Sequence, residues 1–298
     1  MGSIRSSELS ALSLSALDEL ACLRREHANC PPPDRKKVIA VIKLSQALLY
    51  PEYFSVGSKT VLELAEDLTR LLKDQIGAAL RFNRSKADSK DQEQVSPLTD
   101  EQEQVSPLTE GRIARTAELY ITSLPGIYSL LEKDVTAMYD GDPAASSTDE
   151  IALCYPGFYA ISIFRLAHVL YRAGVPLIPR MMTEFAHEKT GIDINPGAEI
   201  GDYFCIDHGT GIVIGETAVI GDRVKIYQGV TIGARSFEKD ENGNPVKGGK
   251  RHPNIGSGVV IYANATILGG DTVIGDGCTI GSSAWITHSV PPGSTVVR

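Results

Sequence analysis

The apolar residues of this chain follow two different periods, and the change between them falls near residue 191. Before that point they recur with helical spacing, as along one face of the segment from Val61 to Leu80. Similar spacing predicts further helices over residues 8–27, 34–49, 111–139 and 156–173, and Gly174 and Gly191 each stop a helix. Residues 1–190 are therefore predicted to form an α-helical domain.

After residue 191, isoleucine recurs every six residues within each of four runs. The runs are Ile194, Ile200 and Ile206; Ile214, Ile220, Ile226 and Ile232; Ile255, Ile261 and Ile267; and Ile274, Ile280 and Ile286. A period of six is typical of a parallel β-helix, in which each hexad forms one flat face and its isoleucine points into the coil. Separate strands of a β-sandwich would not keep this period. We predict a β-helix over residues 191–298, and hence an α+β multi-domain chain.

One polar segment of the helical half is a tandem duplication. The decapeptide at 91–100 is followed at once by a near copy at 101–110, with Pro97 and Pro107 at matching places. Two copies are too few to stack as a solenoid. We therefore predict a flexible linker over about residues 84–110.

The breaks in the six-residue period are the places where function is expected, because the regular repeats are structurally uniform. The first break carries Asp207 and His208, and the second is a loop over residues 234–254 that ends in Arg251 and His252. A histidine beside a carboxylate suits a general base. Asp193 lies one coil turn below His208 if three hexads make a turn. The sequence alone leaves open that His208 is an ordinary surface histidine.

The loop that ends in Arg251 admits two interpretations from its spacing. A guanidinium held by a loop can bind a carboxylate through two hydrogen bonds. A solvated basic loop would have the same composition. Further bases in this half of the chain could attract the phosphates of a nucleotide-type donor, although scattered surface lysines explain them equally well.

The net charge and the cysteine content limit which partners and which cellular compartment we expect. The formal net charge of −8 disfavours nucleic acid and anionic membranes as partners, because both repel an acidic surface. The five cysteines match neither a metal-binding spacing nor a disulfide framework, which favours a reducing cytoplasm. We see no apolar stretch long enough to span a bilayer and no secretory signal.

The motifs around these breaks resemble the serine acetyltransferase family. They are Asp193-Ile-Asn-Pro196, Asp207-His-Gly-Thr-Gly211, Gly215-Glu-Thr-Ala-Val219, Val230-Thr-Ile-Gly233 and Lys250-Arg-His-Pro253, in the order that the family has them. The resemblance runs from about Gly141 to Pro292. It implies a left-handed β-helix that transfers acetyl from acetyl-CoA to the hydroxyl of L-serine, the first step of cysteine biosynthesis, in the cytoplasm and without a metal.

The resemblance also implies roles for individual residues. His208 would be the general base and Asp193 would orient it. Asp142 and Asp207 would hold the ammonium group of serine, and Arg251 with His252 would hold its carboxylate. Acetyl-CoA would lie near Gly233, Ala234 and Ala263, in a groove between subunits of a homotrimer or a dimer of trimers. Since no cysteine or serine adjoins His208, we expect direct transfer without an acetyl-enzyme.

The chain departs from the family pattern at three places. Ala234 and Tyr262 stand where the family usually has glycine, and both lie in the expected cofactor groove. The loop from Arg235 to Gly249 is longer than in the best-known members. The printed sequence ends without the family's extended tail, so a complex with the sulfhydrylase partner is not expected.

Three functions other than serine acetylation would make different demands on these residues. An acetyltransferase of the same fold that acts on a sugar or an antibiotic would not need the carboxylates that bind an ammonium group. A zinc hydratase of the carbonic anhydrase type would need three converging histidines, and His208, His252 and His288 do not have the expected spacing. A non-catalytic scaffold would not need the set of Asp193, His208, Arg251 and His252.

Overall fold

The computed structural model describes residues 30–91, 107–236, 240, 241, 243, 244, 246 and 248–297 of the chain. Their helices are α1 (Arg35–Leu49), α2 (Val61–Asp91), α3 (Pro107–Gly141), α4 (Thr148–Cys154), α5 (Pro156–Arg172) and α6 (Ile178–Thr190). Apolar side chains from all six helices pack in one core that continues into the coil. Asp34 caps α1 by accepting from the backbone N–H of Lys36 and Lys37.

The helices that the periodicity predicts are present wherever the structure describes the chain, with two differences. The predicted linker at about 84–110 is too wide, because α2 continues to Asp91 and α3 begins at Pro107. Arg84, Lys86 and Ala87 are good helix formers, and Pro107 suits a first turn. The short helix α4 is missing from the sequence analysis. The predicted helix at 8–27 lies outside the described residues.

The strands begin three residues after α6. They are β1 (Asp193–Ile194), β2 (Glu199–Ile200), β3 (Cys205–Asp207), β4 (Val213–Ile214), β5 (Val219–Ile220), β6 (Lys225–Tyr227), β7 (Thr231–Gly233), β8 (Asn254–Ile255), β9 (Val260–Ile261), β10 (Thr266–Leu268), β11 (Val273–Ile274), β12 (Thr279–Ile280), β13 (Trp285–Ile286) and β14 (Thr295–Val296). Successive strands go to three different parallel sheets, ordered β1-β4-β7-β10-β13, β2-β5-β8-β11 and β3-β6-β9-β12-β14. The chain therefore winds as a three-faced parallel β-helix.

The isoleucine columns fill the interior of this coil. Ile194 pairs with Ile214 and Ile214 with Ile232, and these side chains are at most 2% exposed. Each face is only two or three residues long, so the hydrogen bonds between coils and the stacked isoleucines together fix the register. The long loop leaves the coil after Gly233 and returns at Asn254, as the loss of period predicts.

A buried ion pair joins the helices to the first coil. Arg165 of α5 donates to both carboxylate oxygens of Asp134 on α3, at 2.6 and 2.9 Å, and also to the carbonyl of Gly201. Asp134 accepts in addition from the backbone N–H of Phe204. Because both side chains are almost fully buried, their hydrogen bonds fix how the end of α3 lies on the coil.

We find no single helix, among the residues that the structure describes, that is both long and apolar enough to cross a membrane. Only the pair α4 and α5 would meet that test together, and it is bent by 74°.

Candidate active site

The predicted site residues lie at two different edges of the three-faced coil. The His208 edge is the corner that leads from β3 to β4, together with the corners stacked above it after β6 and β9. The His252 edge is the corner that leads from β4 to β5, together with the corner above it after β7, where the long loop departs and returns.

His208 lies in a strained turn on the first of these edges. It has a φ of 58°, in the left-handed region that a side chain other than glycine rarely adopts. The turn continues through Gly209 and Gly211, and the N–H of Gly211 donates to the carbonyl of Gly191 at 2.8 Å. The two additional residues of this corner push the histidine outward, so that its side chain is 76% exposed. Strain of this kind is common at functional sites.

Two carboxylates lie near this histidine. The Nε2 atom of His208 is 3.7 Å from Oδ1 of Asp207. Asp142, just after α3, accepts hydrogen bonds from the Tyr155 hydroxyl at 2.5 Å and from the Ala144 N–H at 2.8 Å. The bond from Tyr155, followed by the bond from Ala144, is the main reason why the pKa of Asp142 lies below its usual value, and the nearby charges of Lys225 and then His208 lower it further. The edge therefore offers negative charge close to an exposed base.

Among the described residues, Asp193 and His208 make no hydrogen bond or ion pair with each other. The carboxylate of Asp193 instead accepts from the guanidinium of Arg180 at 3.0 and 3.4 Å. Within the described residues, Asp207 is the carboxylate that lies within 4 Å of His208. Arg180 also pairs with Glu184 at 2.5 Å, and sequence periodicity gave no signal for this arginine.

Three side chains beside Arg180 could hold a cation by geometry alone. Glu184, His187 and Asp193 offer ligand atoms within 4.8 Å of one another. The guanidinium of Arg180 already bonds to two of the three. A cation there would have to displace this charge.

At the second edge, His252 is held as a neutral hydrogen-bond donor. Its Nδ1 accepts from the backbone N–H of Thr217 at 3.0 Å, so the ring proton is on Nε2. The ring packs over Gly215, where an added Cβ would lie 2.0 Å from it. Burial, followed by the charge of Arg251, lowers the pKa of His252 to about 4. This histidine can therefore donate to an anion at neutral pH without carrying a charge.

Arg251 supplies the positive charge at the same edge. Its guanidinium pairs with Glu216, which also accepts from the Tyr171 hydroxyl at 3.0 Å. The backbone N–H of Arg251 donates to the Thr217 hydroxyl at 2.9 Å. These contacts hold the end of the long loop on the coil, although only the Arg-His pair gave a signal in the sequence.

The residues predicted to contact acetyl-CoA are divided between the same two edges. Gly233 pairs with Leu268 at the end of β7, and Ala234 follows it at the start of the long loop. Ala263 lies on the His208 edge, directly after Tyr262. Tyr262 is 42% exposed and stacks on Tyr227 with 5.3 Å between the ring centroids. Neither edge alone carries the whole predicted set.

Comparison with known proteins identifies the family. Over 295 residues the chain is 43% identical to the plasmid-encoded serine acetyltransferase of Synechococcus elongatus, with 97% of this chain and 88% of the relative covered. The chain belongs to the serine acetyltransferase family. A scan against protein-family models gives no match.

Solved structures of serine acetyltransferases have the same fold. The Entamoeba histolytica serine acetyltransferase 1 in complex with L-cysteine has a TM-score of 0.71 and 34% identity, with 90% of this chain and 88% of that chain covered. The Neisseria gonorrhoeae enzyme in complex with serine has a TM-score of 0.55 and 28% identity, over 88% of this chain and 94% of that one. The predicted fold, helices followed by a left-handed β-helix, is confirmed.

Proposed function

We propose that the protein is a serine O-acetyltransferase, which converts acetyl-CoA and L-serine to CoA and O-acetyl-L-serine. The observation that supports this best is the division of charge between the two edges. An exposed base lies beside two carboxylates at the His208 edge, and a neutral donor lies beside a guanidinium at the His252 edge. An amino acid is a zwitterion and needs both kinds of partner. A sugar or an antibiotic hydroxyl acceptor would not need the first carboxylate pair.

In this proposal, each group at the His208 edge acts on one part of the substrate. Asp142 and Asp207 bind the ammonium group, while His208 removes the hydroxyl proton as the oxygen attacks the thioester carbonyl. The C–S bond then breaks, and the protonated His208 gives its proton to the leaving CoA thiolate. Asp193 is held by Arg180 and lies at the start of β1, beside this corner. It would stabilise the positive charge of His208 after the histidine has taken the proton. Acetyl-CoA is the co-substrate, and the thioester carbon is the reacting centre.

At the His252 edge, the substrate carboxylate is bound. Arg251 provides the charge and Nε2–H of His252 provides a directed hydrogen bond, which together fix the orientation of serine. Gly233, Ala234 and Ala263 would border the cofactor groove.

We propose direct transfer in a ternary complex. Cys205 lies on the same strand as Asp207, with its sulfur beside Gly141. Burial raises the pKa of its thiol to about 12. A buried, protonated thiol is a poor nucleophile, so we expect no acetyl-enzyme.

A complete site needs two copies of the chain. The two edges flank one face of the coil, so a single copy presents its ammonium-binding and carboxylate-binding groups on different sides. A ring in which the His208 edge of one copy meets the His252 edge of the next would unite them, and such head-to-tail contacts close into cyclic oligomers. Exposed apolar residues of the coil, such as Val213 and Trp285, would be covered by this contact. We propose a homotrimer on this basis.

The first test measures thiol release from acetyl-CoA with L-serine and with a panel of sugar and antibiotic hydroxyl acceptors. We expect rapid release with L-serine alone, and a loss of at least about a hundredfold in His208→Ala, because general-base catalysis contributes at least that much. His187→Ala, which changes an exposed histidine on α6, is the matched control and should keep full activity. Turnover with another acceptor alone would contradict the proposed substrate.

A further inference from the structure

A lysine on strand β6 connects the two proposed ammonium-binding carboxylates. Lys225 donates from Nζ to the carbonyl of Gly141 at 2.6 Å, and the same nitrogen lies 3.0 Å from Oδ2 of Asp207. Its side chain is 18% exposed, and its ammonium group lies 4.7 Å from the centroid of the Tyr227 ring. The lysine is therefore held on all sides at the His208 edge.

The contacts of Lys225 join three distant parts of the sequence. Gly141 is the last residue of α3 and immediately precedes Asp142, whose carboxylate is oriented by Tyr155 and Ala144. Asp207 is the last residue of β3. Lys225 thus fixes the backbone that carries one carboxylate and directly bonds the other. These two carboxylates come from different domains, and this lysine bonds to both segments.

The charge balance at this edge suits one bound ammonium group. Asp142 and Asp207 contribute two negative charges, and Lys225 contributes one positive charge. The sum leaves one negative charge for a monovalent cation such as the amino group of serine. Burial alone would lower the pKa of Lys225, but hydrogen bonds to Tyr227 and Asp207 outweigh it and raise that pKa above its usual value. Lys225 therefore stays charged throughout the neutral range.

We propose that Lys225 is a positioning residue that sets the geometry and the net charge of the site for the substrate's amino group. The proposal rests on the function proposed above. Lys225 acts through Asp142 and Asp207 and does not itself contact the reacting atoms. It should therefore affect the binding of serine more than the binding of acetyl-CoA.

The test compares Lys225→Met and Lys225→Arg with wild type. Lys225→Met keeps the length of the side chain but removes the charge and the hydrogen bonds, whereas Lys225→Arg keeps both. Lys133→Met is the matched control, because Lys133 also bonds α3 to the coil, through Asp202 at 2.5 Å, at a different edge. The measurements are kcat, the KM values for L-serine and acetyl-CoA, and the inhibition constants of L-alanine and propionate against L-serine. Melting temperatures verify folding, and Lys225→Gln replaces the methionine variant if that one does not fold.

For Lys225→Met we expect the KM for L-serine to rise roughly tenfold, the scale of one hydrogen-bonded charge contact, while the KM for acetyl-CoA stays within about twofold. L-alanine and propionate differ by the ammonium group alone, so the preference for L-alanine should fall by a similar factor. In Lys225→Arg, the KM for L-serine and the preference for L-alanine should return most of the way to their wild-type values. Lys133→Met should change neither quantity.

Three results would overturn the proposal, and the third is distinguishable from the first two. If wild type releases thiol with L-serine but Lys225→Met keeps both the KM for L-serine and the preference for L-alanine, the positioning role is wrong and the function stands. The positioning role is also wrong if Lys133→Met changes these two quantities as much as Lys225→Met does. If wild type itself shows no serine-dependent release, the proposed function fails and the positioning role fails with it.

Discussion

At the scale of single residues, the two histidines of the proposed site are in opposite environments. The side chain of His208 is 76% exposed in a left-handed turn, where water can accept or supply its proton. His252 is buried, with Nδ1 facing an N–H group and its pKa lowered to about 4. The same residue type can therefore act as a base at one edge and as a neutral donor at the other, because burial and partners set the protonation state.

The lowered pKa of His252 predicts how stability depends on pH. The folded protein resists protonation of this ring, whereas the unfolded chain takes up the proton near pH 6.5. The stabilisation is complete above pH 6.5 and is lost as the pH falls toward about 4. We expect the melting temperature of wild type to fall more steeply over this range than that of His252→Asn, which keeps an acceptor for the N–H of Thr217.

This comparison isolates the histidine, because the carboxylates that also titrate in this range are the same in both proteins. His187→Asn is a control at an exposed histidine and should follow wild type. Parallel melting curves for His252→Asn and wild type would show that the buried histidine is not the group responsible.

At the scale of elements, the junction between helices and coil depends on one buried ion pair. Asp134 and Arg165 are 0% and 4% exposed, and the arginine also binds carbonyls at the end of β2. Burial raises the pKa of Asp134, and the guanidinium of Arg165 opposes that rise. Loss of either partner would leave an uncompensated buried charge.

We therefore expect Arg165→Met to lower the free energy of unfolding by about 3–5 kcal/mol, the usual cost of removing one partner of a buried pair. Lys133→Met removes an exposed pair on the same helix, one residue from Asp134, and should cost about 1 kcal/mol or less. Denaturant unfolding of both variants and wild type measures the difference. Equal losses of unfolding free energy in the two variants would mean that burial of an ion pair does not determine how much the pair contributes to stability.

The elements also show what the sequence could and could not predict. The six-residue period predicts the coil because each isoleucine must point inward, and the loss of the period locates the corner at His208 and the loop before His252. The contacts of Lys225, Tyr155 and Arg180 gave no signal in the sequence, because each joins residues that are distant in sequence or on different elements. The support of His208 by Asp193 stays a prediction, since in the structure that carboxylate accepts from Arg180 on α6.

At the scale of the whole molecule, each edge of the coil carries part of the proposed site for each ligand. The proposed ammonium-binding groups and Ala263 lie on the His208 edge, and the proposed carboxylate-binding groups and Gly233 lie on the His252 edge. The order of the strands along the sequence is enough to predict this division. His208 follows the third strand of the coil and Thr217, the partner of His252, follows the fourth, so the two lie at successive corners.

The most direct test of this account mixes two inactive variants, His208→Ala and Arg251→Ala, and measures serine-dependent thiol release after the chains have been unfolded and refolded together. In a trimer whose sites lie between copies, a site is intact when its His208 comes from an Arg251→Ala chain and its Arg251 comes from a neighbouring His208→Ala chain. Random assembly of equal amounts would restore about a quarter of wild-type activity. The account predicts this recovery. Activity that stays at the level of the two separately refolded variants would contradict it, because the two edges would then not form one site between copies.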